Sequence, residues 1–410
     1  MLQILVSKNI KAKTVVVNFL VPSGVTSDLG RFFNTLSKDF EAENKNVKIK
    51  YFPGGSYDEV LNLVLTNTNE GRGVAIVEIS ELLTMKDKKS IIPLDQFFKE
   101  DEKKQYLSKF IPGFLENSYD DLGGLYGLPV MRSTPMIYYN LDHLKKANID
   151  TKKLPETWDE LTKVLQKLKS TSKNPPLLLA ADWYDWIFEG FIGQAGGRLA
   201  NKNNTRLLLS QQPTVKALTY WQSLIKKGLM VKNVGTWKST IKRFIAQKTS
   251  VVFYSSGAMN DLEAVKNLNW ATSIMPKDVR YSVPVGASNV FITSGLSEQQ
   301  KAYAFKFLKF LGRTDIQAKI AEKSGYFPVT TDAFKHPILL DRYSKKHFKI
   351  AREQLNYSHA KSMTRHYRIM RTILKKAIDK SLDAKVDPQK SLSIAQQEAD
   401  RLLNKVNTKK

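Results

Sequence analysis

The chain has 410 residues, 42% of them hydrophobic and 25% charged, so it exceeds the roughly 250–300 residues at which one hydrophobic core stops growing, and two core-bearing units are expected. Lysine and arginine total 64 against 39 acidic residues, a formal charge of +25 that suits anionic ligands or surfaces without choosing among them. Cysteine is absent, which excludes disulfides, thiolate nucleophiles and cysteine-ligated metals.

In chain order, residues 1–12 are read as a leader remnant or a disordered start: five of the first six are apolar, but they lack the basic region and full apolar core of a secretory signal. Thr14 to Val21 reads as a strand, too short and too interrupted by Asn18 to span a bilayer. Leu29, Phe32, Phe33, Leu36 and Phe40 then take helical spacing, and Val47, Ile49 and Tyr51 alternate as a strand. A helix over Tyr57 to Leu65 and a strand over Val74 to Ile79 complete a β-α-β-α-β order, which predicts an α/β fold with a mostly parallel sheet covered on both faces. The alternation returns with a helix from Thr157, a strand near Leu177, a helix from Pro213 and a strand over Ser250 to Tyr254, giving a second α/β unit. A strand over Ser288 to Thr293, a helix over Glu298 to Leu311 and a closing helix with Leu392, Ala395, Ala399, Leu402, Leu403 and Val406 on one stripe finish the chain.

Several segments stand out chemically. Leu125 to Asn140 is an apolar run punctuated by one glycine and two prolines, with the hydroxyls of Ser133 and Thr134 left at its bend. Thr157-Trp-Asp-Glu160 reads as a capping box. Asp182-Trp-Tyr-Asp-Trp186 is a dense aromatic cluster; taken alone it reads as core, while facing a cleft its rings suit a polyol skeleton or, beside Asp182 and Asp185, a quaternary ammonium. Ser255-Ser-Gly257 follows a strand and opens a helix, either an ordinary N-cap or an anion-facing turn. Lys361, Arg365, Arg368 and Lys375 recur at helical spacing and read as one solvated face. Gly193-Gln-Ala-Gly-Gly197 lacks the Lys-Ser/Thr of a phosphate loop and reads as a turn.

In this order the segments around Leu125 and Leu154, with Val251–Gly257, Val285–Ser288 and Ser324–Val329, resemble the extracellular solute-binding proteins of ABC importers, and within them the glycerol-3-phosphate and glycerophosphodiester-binding branch, over nearly the whole chain from about Thr14. The resemblance implies a two-lobed periplasmic-binding-protein type II fold with discontinuous lobes and a hinge: one lobe from 13–132 plus 286–328, the other from 133–285 plus 329–407. It implies Tyr57, Glu78, Ser133, Trp183, Trp186, Ser255, Gly286, Tyr326 and Arg371 as ligand positions. Arg371 would grip phosphate with Ser255, Glu78 would accept hydrogen bonds from glycerol hydroxyls with Glu81 as its alternative, and Gly286 would admit a close backbone approach. Three residues depart from the pattern: Asp182 and Asp185 beside the tryptophans, and Arg132, which is expected to face solvent rather than add a phosphate contact.

The implied function is capture of glycerol-3-phosphate or a glycerophosphodiester such as glycerophosphocholine by a periplasmic monomer, with delivery to a membrane permease and its ATPase, no cofactor and no metal. An enzyme is disfavoured, since no phosphate loop, dinucleotide fingerprint, nucleophile elbow or His-Glu-x-x-His occurs and the five histidines lack ligand spacing. The alternatives are a carbohydrate (maltodextrin-type) receptor, which would not need Arg371 with Ser255, and a nucleic-acid-binding protein using the basic and aromatic run Tyr343 to Lys376.

Overall fold

The computed structural model describes residues 14–22, 27–232, 235–383 and 386–407, so the segment read as a leader remnant lies outside the described residues. In chain order the strands are β1 (Val15–Val21), β2 (Val47–Pro53), β3 (Gly73–Glu78), β4 (Gly127–Ser133), β5 (Pro135–Asn140), β6 (Leu177–Leu179), β7 (Met230–Lys232), β8 (Val251–Ser255), β9 (Trp270–Ser273), β10 (Val283–Pro284), β11 (Gly286–Ile292) and β12 (Ser358–His359). They form two five-stranded sheets, ordered β2-β1-β3-β11-β4 and β7-β6-β8-β5-β9, and a short β10-β12 pair.

The first sheet is mixed rather than mostly parallel. β1 runs parallel to β2 and β3, as the β-α-β order demands, whereas β11 returns late in the chain and lies antiparallel to both β3 and β4. β3 is buried along its whole length, as expected of a strand covered on both faces. Phe19 of β1 sits edge-on to Phe33 of the helix Ser27–Glu43 and to Phe307 of the helix Glu298–Leu311, with ring centroids 5.7 and 4.9 Å away. In the second unit Phe191 joins the helix Tyr184–Gln194 to Phe253 of β8 at 5.3 Å, and Trp158 stacks on Tyr220 at 4.6 Å. At the start of the Trp158–Ser170 helix only half of the expected capping box forms: the Thr157 hydroxyl accepts from the Glu160 amide, but the Glu160 carboxylate accepts from the amide of Glu156 instead of Thr157.

The chain passes between the sheets where it is tightly bound to itself. β4 ends at Ser133, which pairs with Gly286 at the start of β11, while Pro135 at the start of β5 pairs with Ser255 of β8. β12 pairs with β10 beside these crossings, and the Gln354 amide donates to the Thr134 hydroxyl and the Pro135 carbonyl, both at 2.8 Å. Parallel crossings of this kind form a hinge between two lobes built from discontinuous segments, the type II periplasmic-binding-protein architecture. Residues 329–344 stay with the first sheet: Thr330 bridges to Phe110, and the helix Pro337–Ser344 packs on the helix Thr314–Ser324. The helix Lys346–Gln354 then packs on β9. The last helix, Pro388–Asn407, buries Leu392, Ala395, Ala399 and Leu403 as its stripe required.

Candidate functional site

Between the two sheets lies a cavity of about 500 Å³, a volume ordinary for small-ligand sites. All nine residues expected at a ligand site line it: Tyr57, Glu78, Ser133, Trp183, Trp186, Ser255, Gly286, Tyr326 and Arg371 among them. They arrive from strand ends and helix starts. Glu78 closes β3, Ser133 closes β4, Ser255 closes β8 and Gly286 opens β11, so strands of both sheets end at the same space.

Two buried ion pairs form its charged wall. Arg371 grips Asp185 with both prongs, Nε to Oδ2 at 2.7 Å and Nη2 to Oδ1 at 3.1 Å, and its guanidinium lies 4.0 Å from the Trp183 ring centre. Burial opposes the charge on Arg371, but Asp185, Tyr367 and Glu78 together outweigh it and hold the guanidinium above its usual range. Burial likewise penalises the Asp185 carboxylate, yet Arg371 keeps it below the usual carboxylate range. Asp185 therefore brackets Arg371 from outside the cavity wall, a position its spacing did not reveal. Asp182 lines the cavity half-exposed, 3.5 Å from Lys375.

The second pair was missed altogether. Lys361, expected on a solvated face, is 2% exposed and lines the cavity, its ammonium 2.9 Å from Glu78 Oε1 and 4.9 Å from the rings of both Trp183 and Tyr367. Burial pulls its ionisation down, but Glu78, Tyr367 and Asp185 hold the ammonium above its usual range. The helical spacing misled because the helix starts only at Tyr367. Lys361 precedes it in irregular chain and Arg365 in a turn, and Arg365 is buried against Asp87 and Asp121. Glu78 in turn spends its other oxygen on the Ser80 amide, at 2.9 Å.

Trp183 stands in the left-handed region, φ 59°, immediately before the helix Tyr184–Gln194. That turn aims its ring at the two cations while Trp186, one turn on, is buried with its indole N–H donating to the Val285 carbonyl at 3.1 Å. Gly286 is required here: a methyl on it would come within 2.7 Å of the Trp186 ring. The neighbouring Ala287, also in the cavity wall, holds a φ of 82°. Opposite, Tyr57 presents a buried hydroxyl without a hydrogen-bond partner among the described residues. Burial raises Tyr57 well above the usual phenol range and Tyr326 to about 12, so both remain neutral hydroxyls at physiological pH. Ser255 caps the turn after β8 by accepting from the Gly257 amide at 3.1 Å, so the ordinary N-cap is what forms, and its side chain also borders the cavity. Trp237 was not foreseen; it stacks on Tyr254 at 4.0 Å and adds a third indole to the lining. The signal was available in Gly235-Thr-Trp-Lys-Ser239, a helix start with a capping box on which an aromatic sits at the first turn.

Arg132 overturns its expectation. It is fully buried and absent from the wall of this cavity, donating to the carbonyls of Met131, Ser288 and Phe114 and to the Asn289 side chain at 2.6–2.8 Å. Strand alternation does turn it away from Ser133, but the opposite face of β4 is packed and not solvated. Burial lowers its guanidinium to about 9, with Glu78 opposing the fall.

Glu81, the alternative to Glu78, is buried outside the cavity wall with one oxygen unpartnered. Burial, then the charge of Glu78, pushes its carboxyl up to about 7. A carboxyl raised on folding contributes most below its unfolded value near 4.5, and that contribution is lost as pH rises through 7. Glu81→Gln is therefore expected to add up to about 3 kcal/mol of stability at pH 8 and almost none at pH 4.5. Denaturant unfolding at the two pH values checks this, and equal gains at both would refute it.

The fold and the interlobe cavity define a two-lobed solute receptor, and the comparisons with known proteins agree. Residues 35–346 match the family of bacterial extracellular solute-binding proteins, and the chain belongs to that family. It is the substrate-binding protein of an ABC transporter, a class set on the extracytoplasmic side of the membrane. Among its relatives, the sn-glycerol-3-phosphate-binding periplasmic protein UgpB of Escherichia coli O1:K1 is 27% identical over 400 residues, 92% of this chain and 90% of that one. The crystal structure of UgpB from Mycobacterium tuberculosis in complex with glycerophosphocholine superposes with a TM-score of 0.83 at 20% identity, covering 96% and 99% of the two chains. The cyclic α-maltosyl-1,6-maltose binding protein from Arthrobacter globiformis follows at 0.80 and 19%, covering 95% and 99%. Among the described residues no helix is long and apolar enough to cross a membrane.

Proposed function

We propose that the cavity captures a glycerophosphodiester, glycerophosphocholine or a close analogue, and that the loaded receptor delivers it to a membrane permease. The observation that carries this reading is the Arg371–Asp185 pair stacked on Trp183, with Arg371 and the Tyr57, Ser133, Ser255 and Tyr326 hydroxyls bordering one cavity. In it, Arg371 and Ser255 receive the phosphate, Glu78 and the tyrosine hydroxyls receive the glycerol, and the three indoles cover carbon and the head group.

Charge favours the diester over glycerol-3-phosphate. The two buried cations, Lys361 and Arg371, are each matched by a buried carboxylate, Glu78 and Asp185, so the buried part of the wall is neutral before ligand arrives, and the more exposed lining charges Asp58, Asp182 and Lys238 add no net positive charge. A zwitterionic diester adds no net charge, whereas a phosphomonoester brings about −1.5 to −2 into a site with no spare buried cation. We assign 13–132 and 286–328 to one lobe, with 329–344 packed on it, and 133–285 with the chain from Lys346 onward to the other. Closure then draws ligand contacts from both.

A neutral sugar is the second reading, favoured by the same charge balance and by the maltose-type structural neighbours. Calorimetric titration of the protein with glycerophosphocholine, glycerol-3-phosphate and maltose separates them. Saturable one-site binding of glycerophosphocholine, at least tenfold tighter than glycerol-3-phosphate, is expected. Binding of maltose alone would move the receptor to sugars, and preference for the monoester would refute the charge argument.

A further inference from the structure

A second cavity of about 490 Å³ lies beside the first and shares Lys361 as part of its wall. It is lined by the end of the helix Tyr184–Gln194 with the loop to Asn204, by residues 280–282 ahead of β10, and by residues 356–362 around β12. The glycine run that reads as a turn in the sequence makes room for it. Helix and strand approach so closely here that a methyl on Gly193 would lie 2.1 Å from the Ser282 hydroxyl and 3.4 Å from His359 Nε2, and Gly196 takes a φ of 90° that turns the chain away.

At its inner end lies Glu189, only 3% exposed. Its Oε1 accepts from the Ser362 amide at 2.8 Å and the Ser362 hydroxyl at 2.7 Å, while Oε2 accepts no hydrogen bond among the described residues. Lys361 is near, but its ammonium is committed to Glu78. A buried carboxylate without its own cation is costly, and burial accordingly raises the Glu189 carboxyl against the opposing pull of His359 and Ser362. The outer wall carries the opposite charge: Arg198, Lys202 and Arg280 are exposed there against the single acid Glu116. Arg280 is fixed by donating to the carbonyls of Gly193 and Gly197, and Tyr281 packs on Tyr357 with centroids 4.9 Å apart.

We infer that this cavity is a second small-molecule site, which takes a short zwitterion with its ammonium end on Glu189 and its anionic end on Arg198, Lys202 and Arg280. A bare cation would meet a basic entrance, and a bare anion would leave Glu189 unmatched. Only a ligand with both charges answers both ends.

The probe is O-phosphoethanolamine, titrated into the full chain with the first site filled by glycerophosphocholine, and with ethanolamine and inorganic phosphate as single-charge controls. Saturable binding is expected that exceeds either control at least tenfold, is not displaced by glycerophosphocholine, and weakens at least tenfold in Glu189→Gln. Lys202→Glu, an exposed change that leaves folding intact, is expected to weaken it similarly, and both variants are expected to keep their affinity for glycerophosphocholine within threefold. The site is refuted if phosphoethanolamine does not bind, if glycerophosphocholine displaces it, if either control binds as well, or if Lys202→Glu leaves its affinity unchanged. Failure of glycerophosphocholine itself to bind would count against the first site alone, because the dependence on Glu189 and Lys202 is read from the zwitterion.

Discussion

Arg371→Ala is expected to weaken glycerophosphocholine binding at least a hundredfold, and to lower stability by about 3–5 kcal/mol, because it strands Asp185 as a buried carboxylate without its partner. The two effects have different causes and can be separated. In Arg371→Ala/Asp185→Asn the stranded charge is gone, so most of the stability returns while the phosphate grip does not. Denaturant unfolding and calorimetry on the two single variants and the double variant close the cycle. Should the double variant regain affinity along with stability, Arg371 would be a structural residue and the phosphodiester reading would fall. Arg371→Lys is expected to behave like the alanine change in binding, since a lysine can neither hold Asp185 with two prongs nor lay a planar group 4.0 Å over Trp183.

How far the sequence alone reached can be seen at particular residues. The strand ends and helix starts were legible because local pattern controls them: Glu298–Leu311 begins at a Ser297 capping box and follows its apolar spacing to the end. The cavity residues were legible only through their order along the chain, since nothing local distinguishes Tyr57 or Ser133 from ordinary hydroxyl residues. Lys361 escaped for a physical reason. A lysine in a basic run is a solvated residue unless a carboxylate more than two hundred positions away is folded onto it, and periodicity carries no information about Glu78. Arg132 failed in the same way, because alternation along β4 tells which side a residue faces but not whether that side is water or core. The discontinuous crossings, where Ser133 meets Gly286, are long-range pairings of the same kind.

Those long-range charges support the second large effect. One short segment sends three cations across to the first unit, on and around its sheet: Lys361 to Glu78, Arg365 to Asp87 and Asp121, and Arg368 to Asp58 and Asn62 at 2.9 Å. The helix that carries Arg368, Tyr367–Leu382, packs on the second unit's helices Gln212–Lys226 and Pro388–Asn407, so the bridges join one unit to the other. Arg365→Glu places a carboxylate between Asp87 and Asp121, the latter already shared with Lys86 at 2.9 Å. Repulsion there is expected to shift the lobes toward the open state. Apparent affinity falls in proportion to the closed fraction, so a tenfold loss corresponds to about 1.4 kcal/mol against closure. Small-angle scattering should show a larger radius of gyration for the variant, and raising salt from 50 to 500 mM should open the unmodified protein in the same sense while moving the variant little, since the Debye length drops from about 14 to about 4 Å. Asp87→Lys added to Arg365→Glu restores one bridge with its polarity reversed and is expected to recover most of the affinity. If the charge reversal changes neither the radius of gyration nor the affinity, the bridges do not govern closure, and the lobes are held by the packing around Gln354 and the β10-β12 pair instead.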